Sequence, residues 1–569
     1  MLGVEGKTIM EVDEKEINRI WTKFYDEGVR DHVDYPEVPL YKLLENSVSR
    51  HPDKVALVFF GKKITYKQLD EMSDRVAGFL YELGVGKGSK VIVDLPNTPH
   101  YVAAYYGILK TGATVVQCNP LYTEREIRYI LENSEAEYGF FVEMIYPRIR
   151  NLINEGKIKK AVICKIEDFL PFPLNFLYPL KKEKVNVDKR KEVVYWKDVL
   201  KAAPSKKRPE INPKEDVAIF LYTGGTTGVP KAVMSTHYNL VANAYQVLEW
   251  LPDKDEENDV FIGVLPYFHS YGMTTSLNAP IAFGATIILV PDPRDIKRIL
   301  ESIQKYKVSI FCGVPTMYNA ILNHPDLKKY DLSSIKACIS GAAPLPIEVK
   351  REFERVTGGK LVEGYGLSET SPVTHANPLY GVNKEGSIGI PFPDTYAVVV
   401  DNEGKILPIG EVGELAVKGP QVMKGYWKME EETKKVLVNG WLLTGDMAKM
   451  DEDGYFYIVD RKKDMIIAGG YNIYPREVEE VLYEHPAVLE AAVVGVPDPY
   501  RGETVKAFIV LKPEYKGKVS EDDIIKFCKE RLAAYKVPRI VEFRDELPKS
   551  AVGKILRRVL RDEELKKSA

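Results

Sequence analysis

The sequence predicts an α/β protein with a large N-terminal domain and a small α+β C-terminal domain. Three patterns lead to this prediction: helices alternate with short apolar strands in the N-terminal half, glycine turns and short strands fill Gly386–Asp460, and the alternation restarts on a smaller scale after about Lys463. Helices placed between short apolar strands are typical of βαβ units and a parallel sheet. We therefore expect a domain over residues 1–462 and a second over residues 463–569.

The clearest local prediction is a helix that starts after Thr65. Thr65 and Gln68 have the spacing of a capping box, which satisfies two unpaired backbone donors at a helix start. Gly84 is placed to end this helix. Apolar residues recur at spacings of three and four and form one face, consisting of Leu69, Met72, Val76, Phe79 and Leu83.

The next segments repeat the strand–helix–strand order. KVIVDLP and ATVVQC are short apolar runs that predict strands. Between them, Thr98 is a helix cap and Pro99 suits the first turn of a helix that runs to about Lys110. In the C-terminal part we expect a helix over Glu477–Glu484 and another capped by Ser520.

Composition excludes several classes of protein. The 569 residues are 28% charged and 45% hydrophobic, which is typical of a soluble globular chain. Because the formal net charge is only −3, nucleic acid is not an expected partner. The five cysteines form no CxxC pair, so neither a zinc site nor a disulfide framework is indicated. With no signal-peptide pattern and no apolar run long enough for a membrane span, we expect a cytoplasmic protein.

One apolar segment stands out, FLPFPLNFLYPL at Phe169–Leu180. Its three prolines predict that it is not a regular helix. Aromatic and leucine side chains followed by lysines suggest that Phe169–Lys182 contacts a bilayer surface, and a proline-rich loop on the protein body is an equal alternative. The charged, proline-dotted stretch Lys181–Pro213 predicts a surface excursion.

The strongest chemical signal is YTGGTTGVPK, Tyr222–Lys231, which follows the apolar run VAIFL. Glycines let backbone amides approach an anion, threonines add hydroxyl donors and a lysine adds a charge, so the loop suits a phosphate. It is not a Walker A loop, because Val229 and Pro230 separate Gly228 from the lysine. A flexible glycine turn is the alternative.

Two further clusters contain residues that suit a nucleotide. EGYGLSET, Glu363–Thr370, sets Tyr365 between glycines as a ring for stacking, and its Glu369 is a hard oxygen ligand for Mg²⁺. SGAAPL, Ser340–Leu345, is a small-residue loop that leaves room for a flat ligand. An ordinary glycine turn is the alternative for the first, and a tight turn between a strand and a helix is the alternative for the second.

The last motifs contain charged residues. In TGD, Asp446 could accept hydrogen bonds from ribose hydroxyls, and in DRKKD, Arg461 could neutralise nearby negative charge. In PKSAVGKILRR, Lys554 follows a glycine and could sit on a mobile element. Solvated charge runs and a basic terminal helix over Lys549–Arg561 are the alternatives.

Taken in order, these motifs resemble the adenylate-forming superfamily of acyl-CoA synthetases, luciferases and peptide-synthetase adenylation domains, and most of all the long-chain fatty-acyl-CoA synthetases. The same likeness extends to GSIGIPFP, VKGPQVMKGYW, DRKKDMI and GGYNIYPREVE. The resemblance implies an N-terminal domain of two αβ layers with a distorted, β-barrel-like part, and a small mobile C-terminal domain. It also implies ATP with Mg²⁺, an acyl-adenylate intermediate and CoA as the acceptor.

The resemblance assigns a role to each matching residue. Lys463 is the expected hinge; Gly469, Gly470 and Tyr471 are expected at CoA; His269 and Tyr271 are expected at the acyl pocket. The expected catalytic residues are Lys554, His269, Thr226 and Glu369, with Thr226 and Glu369 on the metal. The residues expected to bind ATP or AMP are Thr223, Gly224, Gly225, Thr226, Thr227, Gly228, Lys231, Ala342, Glu363, Gly364, Tyr365, Gly366, Ser368, Asp446, Arg461 and Lys554.

The segment IIAGGYN differs from aryl-CoA ligases and luciferases, which carry lysines at the positions of Ile467 and Gly469; this favours the fatty-acyl branch. The favoured function is a fatty-acid–CoA ligase. The alternatives are a CoA ligase for short, hydroxylated or aryl acids, an enzyme that loads a separate carrier protein, and a non-enzymatic ATP- or acyl-binding protein. We also consider two further interactions: a homodimer and peripheral contact with a membrane.

Overall fold

The protein is a mixed α/β chain, described by a computed structural model over residues 1–223, 229–469, 471–532, 534–550 and 553–568. The strands of its N-terminal half are β1 Val55–Phe59, β2 Lys62–Thr65, β3 Lys90–Asp94, β4 Thr114–Gln117, β5 Tyr138–Val142, β6 Lys160–Cys164, β7 Val193–Tyr195, β8 Val217–Thr223, β9 Lys231–Thr236, β10 Val260–Gly263 and β11 Thr286–Leu289. The later strands are β12 Ala337–Ser340, β13 Lys360–Gly366, β14 Val373–Ala376, β15 Ile390–Pro391, β16 Tyr396–Val400, β17 Gly413–Lys418, β18 Gly425–Tyr426, β19 Leu437–Val438, β20 Trp441–Met450, β21 Phe456–Arg461, β22 Ile466–Ala468, β23 Tyr471–Ile473, β24 Val488–Asp498, β25 Gly502–Leu511 and β26 Ile540–Phe543.

Helices flank these strands. They are α1 Lys42–Arg50, α2 Tyr66–Glu82, α3 Pro99–Lys110, α4 Glu124–Ser134, α5 Tyr146–Asn154, α6 Leu174–Lys181, α7 Trp196–Val199, α8 His237–Glu249, α9 Ser270–Met273, α10 Ala279–Phe283, α11 Ile296–Tyr306, α12 Pro315–Leu322, α13 Ile347–Thr357, α14 Glu430–Val436, α15 Pro475–Tyr483, α16 Glu521–Lys529 and α17 Arg557–Ser568. A π-helical turn, Thr274–Asn278, joins α9 to α10.

The first layer is an eight-stranded sheet in the order β18-β9-β8-β4-β3-β5-β6-β7. From β8 to β7 neighbouring strands are parallel, so the predicted parallel sheet is confirmed. The capping box on Thr65 is present, and Thr98 caps α3 as its spacing predicted. These predictions hold because a cap and an apolar face are set by residues within one turn of each other.

The second layer is built from two sheets, β10-β11-β1-β2 and β12-β13-β14-β15. Isolated bridges through Ile310 connect them, since Ile310 pairs with Phe261 on one side and Ala337 on the other. A further sheet, β16-β17-β20-β19 with β21 on β20, forms the β-rich part. Within the described residues this part is an open sheet rather than a closed barrel.

The C-terminal part is a separate domain with a sheet of its own, β23-β22-β25-β24 with β26 on β25. Its helix α15 begins two residues earlier than predicted, and Ser520 caps α16 as predicted. Its apolar core joins residues of β22, β24, β25, α15 and α16. The domain therefore buries an apolar core independently of the N-terminal sheets.

Two predictions about the segment after Phe169 hold only in part: residues 169–173 are not α-helical, but the second half of the segment is. Leu174–Lys181 is a helix, α6, with Pro179 inside it. The helix survives because Pro179 lies near its C-terminal end and the helix is exposed, so water can satisfy the carbonyl group that loses its backbone donor. The stretch Lys181–Pro213 is mostly exposed or half-buried, as a surface excursion predicts, but it also adds β7 to the sheet edge and buries Trp196. Within the described residues, no helix is both long enough and apolar enough to cross a membrane.

The backbone packs closely around Gly389 in the motif GSIGIPFP. Its φ is +86°, and a Cβ there would lie 2.0 Å from the backbone carbon of Ala376. Because neither backbone can move cheaply, we expect Gly389→Ala to lower the free energy of unfolding by at least about 2 kcal/mol. Gly386 is the matched control, since its φ is +82° with no atom within 4 Å. Gly386→Ala should cost about 1 kcal/mol, the price of the left-handed conformation alone. Urea unfolding of both variants measures the difference; equal losses would contradict the close contact.

Candidate active site

The site begins at the carboxyl ends of the neighbouring parallel strands β12 and β13. Ser340, the last residue of β12, lies opposite Glu363, so the loop after β12 leaves the sheet beside the last residues of β13, which continues to Gly366. The loop after β12 contains Ala342 at a φ of +69°. Glu363 holds this loop, because its Oε1 accepts a hydrogen bond from the backbone N of Leu345 at 2.7 Å. Burial raises the pKa of Glu363 to about 7.

Tyr365 connects this corner to the β-rich sheet. It lies near the end of β13 between Gly364 and Gly366, and its hydroxyl donates to Oδ2 of Asp446 at 2.5 Å. Asp446 on β20 stands opposite Arg461 on β21, and Arg461 Nε is 3.4 Å from Asp446 Oδ1. The structure thus brings together three distant side chains: Tyr365 and Asp446 are 81 positions apart in the chain, and Asp446 and Arg461 are 15 positions apart.

The glycine- and threonine-rich loop lies between two paired strands. Thr223 ends β8, Lys231 begins β9, and the two residues are directly opposite each other in an antiparallel hairpin. Gly224, Gly225, Thr226, Thr227 and Gly228 lie outside the described residues. A strand rather than a helix follows the loop, which agrees with the absence of a Walker A pattern.

Lys231 and Glu369 add opposite charges to the site. The ammonium group of Lys231 lies 3.5 Å from Glu432 Oε2 and 5.1 Å from the ring centroid of Tyr426. Ser368 and Glu369 occupy a single helical turn after β13, and Glu369 O accepts a hydrogen bond from Met423 N. Burial raises the pKa of Glu369 to about 6, and Arg461 and Lys231 oppose this rise.

Lys554 comes from the C-terminal domain, on the loop before α17. That loop docks on the N-terminal domain, because Thr316 Oγ1 at the start of α12 donates to Gly553 O at 3.0 Å. The loop is closed on itself by Ser550, whose N donates to Lys554 O and whose Oγ accepts from Lys554 N. Burial first, and the positive charge of Arg461 second, lower the pKa of Lys554 to about 8.

His269 and Tyr271 lie at the start of α9. His269 Nδ1 accepts a hydrogen bond from Tyr271 N at 3.3 Å, and burial together with the charge of Lys554 lowers the pKa of His269 to about 4. Lys554 and His269, 285 positions apart in the sequence, therefore share one site. The hydroxyl of Tyr271 is bound to backbone carbonyl groups, Ile339 O at 2.6 Å and Gly313 O at 3.0 Å. The hydroxyl of Tyr271 is therefore already occupied by the protein backbone.

The residues expected at the hinge and at CoA lie further along the chain. Lys463 is between β21 and β22, and burial lowers the pKa of its amino group. Gly469 N donates to Arg501 O, and the ring of Tyr471 stacks on Tyr535 with centroids 4.5 Å apart. These contacts are within the C-terminal domain. Gly470 lies outside the described residues.

Sequence reasoning missed the residues that join the two domains. Thr316 has no motif to mark it. Arg476 lies inside the quoted motif GGYNIYPREVE, but only its three-dimensional position near Glu363 shows that it reaches the site. The same is true of Arg557, whose guanidinium Nη1 is 2.7 Å from Asp460 Oδ1. A single arginine in a helix carries no local signal for its distant partner.

The site residues suit a magnesium nucleotide. Glu369 is a carboxylate whose charge interacts with that of Lys231 at the start of β9, and magnesium is commonly held by one or two carboxylates together with substrate phosphates. In the described part of the chain no group of three or more His, Cys, Asp or Glu side chains is arranged to hold a metal ion by itself. A metal delivered with a triphosphate needs no such group.

Comparison with known proteins identifies the class. A family model described as "AMP-binding enzyme" matches residues 44–427, and one described as "AMP-binding enzyme C-terminal domain" matches residues 477–554. The chain therefore belongs to the AMP-binding enzymes, and the resemblance drawn from its motifs is confirmed.

Several known proteins are similar to this chain along nearly its whole length. The long-chain-fatty-acid–CoA ligase of Bacillus subtilis (strain 168) is 49% identical over 552 residues, which cover 96% of this chain and 98% of the relative. Among solved structures, the anthranilate CoA ligase AuaEII in complex with anthranoyl-AMP has a TM-score of 0.84 at 30% identity, covering 94% of this chain and 99% of that one. ATP-bound MatB from Rhodopseudomonas palustris has a TM-score of 0.80 at 30% identity, covering 92% and 98%.

Proposed function

We propose that this chain is an ATP-dependent fatty-acid–CoA ligase. A fatty acid carboxylate attacks the α-phosphorus of ATP and pyrophosphate leaves, which gives an acyl-adenylate; the CoA thiol then attacks the acyl carbon and AMP leaves. The substrate class is supported by the B. subtilis relative, whose name states a long-chain fatty acid and whose sequence matches along nearly the whole chain. A homodimer stays a prediction.

The position of Lys554 is the observation that carries the proposal. The residue is the sequence's candidate for adenylation, and the docked loop brings its ammonium group into the electrostatic surroundings of Asp446, Arg461 and His269. A cation at this place can draw together the carboxylate and the α-phosphate and stabilise the negative charge of the transition state. Neither half-reaction needs a nucleophile from the protein, so placement of charge is the main catalytic resource.

The remaining residues have positioning roles in this proposal. Tyr365 stacks on adenine against the Ala342 loop, and Asp446 and Arg461 hold the ribose. Residues Thr223–Lys231 hold the pyrophosphate side. Glu369 would bind Mg²⁺ with help from Thr226, and the ion would neutralise phosphate charge.

We further propose that the two half-reactions use two orientations of the C-terminal domain, related by rotation about Lys463. Adenylation needs Lys554 where it now lies. Rotation would withdraw Lys554 and bring Gly469, Gly470 and Tyr471 to the CoA path. The present contacts of Gly469 and Tyr471 within their own domain support an orientation for the first half-reaction.

The substrate class is tested by pyrophosphate release across acids from acetate to palmitate, with anthranilate and benzoate included. We expect kcat/KM to be highest for medium or long chains, because each additional buried CH₂ contributes about 0.8 kcal/mol. A preference for short or aryl acids would favour the alternative ligases. Replacing CoA by a carrier-protein thiol tests the carrier-loading alternative, and a failure to release pyrophosphate with any acid would favour the non-enzymatic one.

Two variants should affect the half-reactions in opposite ways. Lys554→Ala is expected to lower acyl-adenylate formation by a factor of about 100 or more, because it removes the transition-state cation. It should largely spare thioester formation from supplied acyl-adenylate. Lys463→Pro should impair thioester formation more than adenylation, since proline restricts the backbone at the hinge.

Single-turnover assays with radiolabelled fatty acid or with synthetic acyl-adenylate measure each step separately. The exposed residue Lys329, paired with Asp326 on a surface turn, offers a control, Lys329→Ala, that removes a lysine away from the residues assigned to the site. Equal losses in both half-reactions for Lys554→Ala would refute its assigned role. An unchanged thioesterification rate in Lys463→Pro would argue against the hinge.

The pKa values predict a bell-shaped pH profile for kcat/KM of adenylation. Below about pH 6, Glu369 takes up a proton and loses the charge that binds Mg²⁺; above about pH 8, Lys554 loses the proton that makes it a cation. The rate should therefore fall on both sides. In Lys554→Arg the high-pH decline should move upward, because arginine stays charged, even though the rate itself is lower. An unchanged rate up to about pH 10 in the unmodified enzyme would contradict the role of Lys554.

We also propose that α6 contacts an anionic membrane surface. Its side chains are unburied, and Phe176 is 66% and Leu180 80% exposed; Phe172, two residues before the helix, is 81% exposed. Such a cluster is unusual on a soluble surface unless another apolar surface covers it. Lys181 and Lys184 are exposed beside it and match the charge of acidic headgroups.

Flotation with vesicles tests this contact. The protein should float with vesicles that contain phosphatidylglycerol and less with purely zwitterionic ones. The variant Phe172→Ser/Phe176→Ser/Leu180→Ser should lose at least about 90% of the floated fraction, because its apolar anchors are gone. Met10→Ser/Tyr500→Ser, at two exposed apolar side chains elsewhere, is the control. Equal flotation of all three proteins would refute the proposal.

A further inference from the structure

Arg476 is a buried cation at the contact between the two domains. It lies at the start of α15 in the C-terminal domain, and its side chain is only 7% exposed. Its Nη2 is 3.5 Å from Oε2 of Glu363, a side chain of β13 in the N-terminal domain that is 6% exposed. A buried charged pair that joins two domains is uncommon, because both ions give up their hydration.

Glu363 connects Arg476 to the nucleotide loop. While Oε2 faces Arg476, Oε1 accepts the backbone N–H of Leu345 at 2.7 Å. Leu345 ends the SGAAPL loop that contains Ala342. A continuous path therefore runs from the C-terminal domain, through one carboxylate, to the loop proposed to contact adenine.

The position of Arg476 depends on the orientation of its domain. Its backbone N donates to Asp460 Oδ2 at 2.9 Å, and Asp460 Oδ1 is 2.7 Å from Arg557 Nη1. Asp460 lies on β21, before Lys463, whereas Arg476 and Arg557 come after it. A rotation about Lys463 large enough to bring other residues to the site would separate Arg476 from Glu363.

We propose that Arg476 is a positioning residue for adenylation, which holds Glu363 and through it the SGAAPL loop only while the C-terminal domain has its present orientation. This inference rests on the proposed two-step function. It assigns Arg476 no contact with the reacting atoms.

The physical reason is the cost of burying a carboxylate. When the domain closes, Glu363 leaves water, and Arg476 supplies the compensating charge. Without Arg476 the closed state contains either a buried carboxylate with an amide partner alone or a carboxyl group that has taken up a proton, and both are less favourable than the charged pair. That state becomes less populated, and the loop that Glu363 holds is less firmly placed for ATP. Thioester formation, which uses another orientation, has no need of the contact.

The test compares both half-reactions in Arg476→Met, which retains much of the apolar side chain without the charge. We expect kcat/KM for ATP in adenylation to fall about tenfold, in line with the loss of one charge-assisted hydrogen bond. Thioester formation from supplied acyl-adenylate should stay within about twofold of the unmodified protein. Arg539 is exposed in the same domain, so Arg539→Met makes the same chemical change without touching the interface.

A double-mutant cycle with Glu363→Gln separates positioning from general damage. Gln retains an acceptor for Leu345 N but lacks the charge, so Arg476→Met should have little further effect in that background. Arg476→Lys should recover part of the lost rate. Additive effects in the cycle, or equal losses in both half-reactions, would overturn the proposal, and so would an unchanged rate of adenylation. Failure of the proposed function itself would be visible separately, as an unmodified protein that forms no acyl-adenylate.

Discussion

The pairing of β20 with β21 is the constraint on which the site and the domain arrangement both depend. Antiparallel register places Asp446 opposite Arg461, and Asp446 in turn receives the hydroxyl of Tyr365. The pairing continues past the strand end, since Lys462 N donates to Gly445 O at 3.0 Å. The chain reaches Lys463 immediately after that bond. One register thus places Asp446 against Tyr365 and Arg461 and also fixes the position of the chain just before Lys463.

Burial of charge is the second feature that organises the site. Burial is the largest influence on Glu363, Glu369 and Lys554, and it raises the pKa of the two carboxyl groups and lowers that of the ammonium group. In such surroundings Coulomb interactions are stronger than in water, so a few fixed charges can stabilise a reacting phosphate. Two of these three groups approach their partners only because the domains touch. Domain contact is therefore part of the electrostatics of the site.

Local features of the fold could be predicted, and features decided at a distance could not. The cap of α2 at Thr65 and the cap of α16 at Ser520 follow from residues three positions apart. The prolines of Phe169–Leu180 led to a prediction that fails for the second half of the segment, because their effect depends on where α6 begins and whether solvent reaches it. Likewise, β7 was missed because its pairing with β6 joins residues about 30 positions apart. Pairing across such a distance leaves no periodic signal in either segment.

The sequence by itself determined the family, the order of the motifs and the types of side chain available for nucleotide chemistry. These properties depend on residue identity and spacing along the chain. Only the tertiary structure decided that Lys554 shares a site with His269 and Asp446, that Thr316 receives the C-terminal loop, and that Arg476 meets Glu363. Such contacts depend on strand register and on the orientation of one domain against another. Both are properties of the whole packed chain, and no single segment encodes them.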